Sequence, residues 1–203
     1  ADGSRLVRTL TDEPIYDALA GDLELYLAEF ARRRLFVHAG VVGWRGRAIL
    51  IPGWSRAGKS TLVAALLRAG ATYYSDEYAV LDARGRVHPF PRPLSLRGAP
   101  GEHPSKHTSA TFGARTGTAS LPVGLVLVTR YVAGARWRPR PRSRARAVLD
   151  LFANTPSARR KPEAAFHILH QTLGDARVVS GVRGESEAVI EWVLGECVPA
   201  GAR

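Results

Sequence analysis

The sequence predicts an α/β fold, a mixed sheet flanked by helices, formed by a single domain over residues 1–203 around a phosphate-binding loop. Short apolar runs bounded by glycine and proline alternate with amphipathic helical stretches, as when strands and helices share one sheet. Between one such strand and one such helix lies Gly53-Trp54-Ser55-Arg56-Ala57-Gly58-Lys59-Ser60, of the form G-x-x-x-x-G-K-[ST]. The most hydrophobic run, LPVGLVLVT, has the continuous apolar character of a strand covered on both faces, which places it centrally in the sheet.

Each element follows in turn. DALAGDLELYLAEFARRR (residues 17–34) reads as an amphipathic helix, with Leu19, Leu23, Tyr26, Leu27 and Phe30 at three- and four-residue spacing and Arg32, Arg33 and Arg34 at its C-terminal end. LFVHAGVV and AILIP are strands, and the link GWRGR, with Gly43 and Gly46, makes them a hairpin. STLVAALLRAG is a helix that starts at Ser60 and is closed by Gly70. ATYYS is a strand ending in Asp76 and Glu77, expected to lie parallel beside the loop strand so that its end emerges near the phosphates. YAVLD, ARGR and VHPFP read as strand, turn and strand, and PLSLR as a proline-punctuated edge. Residues 98–120, rich in Gly, Ser, Thr, Pro and Ala, read as a loop and a lid over the nucleotide. A basic loop occupies residues 130–146. Helical turns at 147–154 and 162–173, the strand ARVVS and a helix at 185–194 complete the chain.

Composition narrows the function. A chain of 203 residues with 45% hydrophobic content has enough material for a sizeable core. The lone cysteine, Cys197, cannot form an internal disulfide, which leads to the expectation of a reducing, cytoplasmic setting. No apolar run approaches the ~20 residues of a membrane span, and the opening residues lack the basic-then-apolar pattern of a signal peptide. The net charge of +11 suits an acidic partner such as ATP, an acidic peptide or nucleic acid, and equally a solvated arginine-rich surface. Six arginines recur at every second position from Arg136 to Arg146, a candidate surface for an acidic partner. Trp137 is the one aromatic inside that run, where single-strand nucleic-acid binding would want several. His103 and His107 stand four apart, but glycine and proline around them oppose a helix and no third ligand is at hand, so zinc is not expected.

The loop carries the chemistry. Gly53 and Gly58 allow backbone conformations that turn successive N–H groups toward phosphate oxygens. Lys59 supplies a mobile positive charge to the β- and γ-phosphates, the Ser60 hydroxyl can ligate Mg²⁺, and the helix adds its partly positive N-terminus. Of Asp76 and Glu77, one carboxylate can bind Mg²⁺ while the other accepts a proton from an attacking hydroxyl; the bland alternative is a surface acid pair. Arg97 and Arg130 each end an apolar strand, where an arginine either braces a phosphoryl group or is solvated.

HAG (His38–Gly40) on a strand, then GWSRAGKST, a helix, YSDE and LSLR occur in the order found in the HPr kinase/phosphorylase catalytic domain, whose fold is similar to nucleotide-binding phosphoenolpyruvate carboxykinase. The run from His38 to Arg97 looks most like the HPr-kinase-related P-loop proteins. The resemblance implies ATP held by Gly53, Trp54, Ser55, Arg56, Ala57, Gly58, Lys59, Ser60 and Thr61, with Mg²⁺ at Ser60 and Asp76. It implies catalytic roles for Asp76, Glu77, His38 and Lys59, with Asp76 as base or metal partner; without it, His38 reads as a satisfied strand histidine. The expected activity is transfer of the γ-phosphate of ATP to a serine or threonine hydroxyl of a protein or peptide. The alternatives are a small-molecule kinase, a non-catalytic ATP-binding sensor and, on the arginine run, a nucleic-acid binder. The chain departs from the family at Arg56-Ala57, usually Ser-Gly, at Glu77, usually aspartate, and in lacking the glycine-rich signature after the acid pair. Phosphorolysis and HPr itself as substrate are therefore not carried over. HPr kinases are hexamers, which leaves a homo-oligomer open.

Overall fold

The computed structural model describes residues 13–53, 57–97 and 104–197. Alternation along the first strand sets the layers. β1 (Leu35–Trp44) sends Leu35, Val37, Ala39 and Val41 into one apolar cluster, while Phe36 and Val42 enter clusters on the opposite face. β2 (Arg47–Pro52) pairs antiparallel with it as the predicted hairpin. Arg45 and Gly46, at φ 46° and 77°, supply the two left-handed residues of a tight hairpin turn. β2 divides its own side chains in the same way, Leu50 to one face and Ile49 and Ile51 to the other.

β8 (Val123–Tyr131) is interior, as its composition predicts, pairing in parallel with β2 on one side and with β10 (Arg177–Arg183) on the other. β9 (Arg140–Pro141) adds antiparallel to β10. On the far edge of β1 lie β3 (Thr72–Ser75) and β4 (Tyr78–Leu81), both antiparallel, and β5 (Val87–His88) closes on β4. The sheet is thus mixed and flanked by helices, as expected, and has eight strands. β6 (Leu94–Leu96) and β7 (Ser105–His107) form a separate two-stranded sheet.

Helices α3 (Arg144–Ala153) and α4 (Pro162–Leu173) cover one face of the large sheet, packing Val148, Leu151 and Leu169 against Val37, Leu50 and Val126. Helices α2 (Lys59–Arg68) and α5 (Ile190–Glu196) cover the other, with Leu62, Leu66 and Val193 against Ile49 and Leu125. Beside α2, helix α1 (Glu13–Phe30) rests Ala28 on Phe36 and Tyr78. Among the described residues no helix is long and apolar enough to cross a membrane.

Four expectations need correcting. The strand with the acid pair does not lie beside the loop strand, because β1 stands between them. β3 and β4 run end to end along one edge of β1, with Val41 opposite Ser75 and His38 opposite Tyr78, so Asp76 and Glu77 interrupt a strand instead of ending it. At the junction the Ser75 hydroxyl accepts the N–H of Glu77 at 3.3 Å and of Tyr78 at 3.1 Å, while the Glu77 carbonyl still accepts the Ala39 N–H of β1 at 3.1 Å. Both β2 and β3 oppose β1, hence they run in the same direction, and their C-terminal ends still emerge together.

The N-terminal helix runs from Glu13 to Phe30, not from 17 to 34, and its apolar stripe faces outward: Leu19, Leu23 and Tyr26 are 51%, 55% and 60% exposed. Of the loop expected at 98–120, residues 98–103 lie outside the described residues. The remainder is structured by β7, by a 3₁₀ turn at Ser109–Phe112 that buries Phe112, and by a bridge from Thr116 to Tyr73. The basic loop expected at 130–146 is likewise divided. Its middle joins the sheet as β9, and Ser143 then caps α3 by accepting the Arg146 N–H at 3.4 Å. Arg142 is paired with Asp150, Nη2 to Oδ1 at 2.9 Å, and the other five arginines of the run are exposed.

Candidate functional site

The period of two along β1 puts Phe36, His38, Gly40 and Val42 on one face. Phe36 meets the cluster under α1 and Val42 meets α2, so His38 and Gly40 lie in the gap between the helices. Gly40 has a steric reason to be glycine: a Cβ there would stand 2.6 Å from Cγ2 of Val63. That close approach sets the first turn of α2 down beside the acid pair, with the same point 3.9 Å from Cβ of Lys59 and 3.7 Å from Oδ1 of Asp76. Gly58, at φ 78° and ψ 19°, is the left-handed residue that lets the chain swing from the loop into α2.

Lys59 is buried, and its Nζ lies 3.4 Å from Nε2 of His38. On the far side of the ring, Nδ1 lies 3.5 Å from Oε1 of Glu77. One tautomer serves both contacts, with Nε2 accepting from the ammonium and the proton on Nδ1 directed at the carboxylate. Burial, aided by the Lys59 charge, holds the imidazole down to about 4, so the ring is neutral near pH 7 and its contact with Glu77 is not an ion pair. Burial also lowers Lys59, against the pull of Glu77 and Asp76, and raises Glu77.

Asp76 is only 6% exposed. Burial pushes its carboxyl up to about 7, although hydrogen bonds from the Ser60 side chain and the Ser95 backbone pull the other way. Its Oδ1 has no hydrogen-bond partner among the described residues. A buried acceptor left unpaired costs roughly 1–3 kcal/mol, and a proton or a cation relieves it.

These groups line a cavity of about 510 Å³, within the ~300–1,000 Å³ typical of small-ligand sites. His38, Gly58, Lys59, Ser60, Thr61, Asp76 and Glu77 all reach its wall. Gly53, at φ 153°, sits at the end of β2 with its N–H 3.4 Å from the His38 carbonyl, and Ala57 is half-buried just before Gly58. Trp54, Ser55 and Arg56 lie outside the described residues. Arg97 also lines the cavity, whereas Arg130 is exposed and does not. His103 lies outside the described residues, His107 bonds the Ser105 hydroxyl at 2.7 Å, and the described residues contain no group of three or more His, Cys, Asp or Glu able to hold a metal ion. Mg²⁺ keeps several waters and takes only one or two protein oxygens beside substrate phosphates, and the Ser60 hydroxyl with the Asp76 carboxylate fits that need.

Sequence reasoning missed Arg183. It is 1% exposed, and its Nη2 donates to the Gly58 carbonyl at 2.6 Å while Nη1 donates to the Gly184 carbonyl and the Ser186 hydroxyl. Its guanidinium carbon is 5.7 Å from the ring centroid of Tyr131, which lines the cavity. In the sequence it is one more arginine closing an apolar strand, indistinguishable from Arg97 and Arg130. Ser95, on β6, was also unmarked. Compared with models of protein families the chain matches none, and no curated protein matches it.

Proposed function

We propose that the protein is an ATP-dependent kinase with a P-loop fold of HPr-kinase type, passing the γ-phosphate to a serine or threonine hydroxyl of a protein or peptide. The observation that carries this reading is the convergence of Gly58, the first turn of α2 and the carboxylates of Asp76 and Glu77 on one cavity of about 510 Å³. Glu77 is about half exposed, but a carboxylate of a solvated surface pair would have no reason to be buried beside Lys59 and Ser60 as Asp76 is.

Each residue then has a task. The backbone of the loop and the N-terminus of α2 hold phosphate oxygens. Lys59 neutralises charge developing between the β- and γ-phosphates, and Arg97, which lines the same cavity, adds a second positive charge. Ser60 would hold Mg²⁺ beside the phosphates, where the ion supplies further neutralisation of their oxygens and leaves the Asp76 carboxylate free to act as the base. Asp76 takes the proton of the acceptor hydroxyl as the acceptor oxygen bonds to the γ-phosphorus and the bond to the β–γ bridging oxygen breaks, its electron pair leaving with ADP. Glu77 and His38 keep Lys59 and the carboxylate of Asp76 in position. Phosphoryl transfer draws mainly on such positioning and charge compensation.

Incubation of a cognate extract with the protein and γ-¹⁸O-labelled ATP, followed by mass spectrometry, tests the reading. Label is expected on a serine or threonine of a polypeptide, and none with Lys59→Met. Label on a metabolite would make the protein a small-molecule kinase. ATP binding with no ADP released under any acceptor mixture would make it a sensor.

A further inference from the structure

A second cavity, of about 190 Å³, shares Asp76, Glu77 and Ser95 with the first. Its floor is one stripe of α1: Asp17, Ala20, Gly21 and Glu24 fall at the i, i+3, i+4 and i+7 positions of a single helix face. Lys106 of β7 pairs with Asp17, and Arg92 pairs with Glu24 at 2.5 Å, bracing α1 across to the small sheet. A Cβ on Gly21 would meet nothing within 4 Å. Glycine inside a helix costs about 1 kcal/mol relative to alanine, and here it leaves an open slot beside the acid pair.

The lining holds four carboxylates, Asp17, Glu24, Asp76 and Glu77, against two cations, Arg92 and Lys106, on a chain whose net charge is +11. Asp17 and Glu24 are compensated by Lys106 and Arg92, so the excess negative charge of the recess lies on Asp76 and Glu77, where it disfavours acidic ligands and favours basic ones. The stripe from Asp17 to Glu24 is roughly 10 Å long at the helical rise, the span of about three residues of extended chain.

We propose that this second cavity is the acceptor subsite, and that it takes a short extended peptide whose serine or threonine is flanked by a basic residue. The proposal rests on the kinase reading above. In it the acceptor hydroxyl reaches Asp76 across the wall common to both cavities; its oxygen bonds to the γ-phosphorus, its proton passes to the Asp76 carboxylate, and ADP departs. The half-exposed carboxylate of Glu77 attracts the flanking lysine or arginine of the peptide and disfavours a glutamate there.

Gly21→Leu tests this, because it fills the slot while improving the helix propensity of α1. Wild-type and variant proteins are compared by ATP titration, by ATP hydrolysis to water, and by phosphorylation of serine-centred peptides with Arg, Ala or Glu on either side, with free serine as the small-molecule arm. The expected result is at least tenfold preference in kcat/KM for the Arg-flanked over the Glu-flanked peptides, lost with all peptide transfer in Gly21→Leu, while ATP affinity and hydrolysis stay within about twofold of wild type. Peptide transfer unchanged in Gly21→Leu, absence of a charge preference, or transfer to free serine alone would overturn the subsite. Failure of the wild-type protein to bind Mg·ATP would overturn the kinase reading itself and is distinguished by the titration.

Discussion

The guanidinium of Arg183 donates to the carbonyl of Gly58 at 2.6 Å, tying the end of β10 to the residue that opens α2. Charge-assisted bonds of this kind contribute about 1.5–3 kcal/mol. Arg183→Gln removes the fork and is expected to lower unfolding free energy by about that amount and to weaken the proposed ATP binding by tenfold or more. Arg183→Lys, keeping a charge without the planar fork, should recover little of either. Urea unfolding and nucleotide titration measure the two effects, and an undiminished ATP affinity would show that the loop holds its shape without Arg183.

Gly40 is predicted to be a steric requirement and not a source of flexibility. Gly40→Ala forces its new methyl against Val63 and should destabilise the fold by roughly 1–3 kcal/mol, the usual cost of overpacking. Val63→Ala removes the offending Cγ2 and should restore part of the loss in the double variant. If the two substitutions simply add, the contact does not limit the approach of α2.

Lys59→Met and Asp76→Asn separate charge from volume in the proposed transfer. Each is expected to lower phosphorylation by at least ~10²-fold while circular dichroism and melting temperature stay close to wild type. A folded variant of either kind with unaltered turnover would remove that residue from the chemistry.

His38 makes a pH prediction of definite sign. Its ring is 17% exposed and its pKa is held to about 4 in the folded chain, against an ordinary 6.5. The folded protein therefore binds fewer protons than the unfolded one between those values, and the stability this contributes is complete above pH 6.5 and lost as pH falls toward 4. The difference between wild type and His38→Gln should shrink across that window by up to roughly 3 kcal/mol. Asp76 and Glu77, whose carboxyls burial raises, titrate with the opposite effect, so the informative quantity is the difference between the two proteins in chemical unfolding. A flat difference from pH 4 to pH 7 would mean that the Lys59–His38–Glu77 contacts do not persist in solution.

Local pattern made much of this legible. Apolar alternation, the glycines of the hairpin and the spacing of Gly53, Gly58, Lys59 and Ser60 mark strands, turn and loop, and α4 falls at Pro162–Leu173 as predicted. Sheet order was not legible: whether Ser75 neighbours β2 or β1 depends on long-range pairing, and the Ser75 hydroxyl that accepts two N–H groups at the junction is invisible as a turn signal inside an apolar strand. Arg183 was hidden for a related reason, since its partner is a backbone carbonyl 125 residues away, and a carbonyl leaves no mark in the sequence. The acidic stripe of α1 was read only through the apolar spacing of Leu19 and Leu23, which the fold leaves in solvent, while its polar side lines a cavity.

The seam between β3 and β4 bears on how this chain can vary. Ser75 faces Val41 and Tyr78 faces His38, so two residues here answer two on β1, and one gained or lost between them would have to be taken up as a bulge. The spacing of the two carboxylates is thus held by the same pairing that holds the sheet edge, and a change of length there disturbs both.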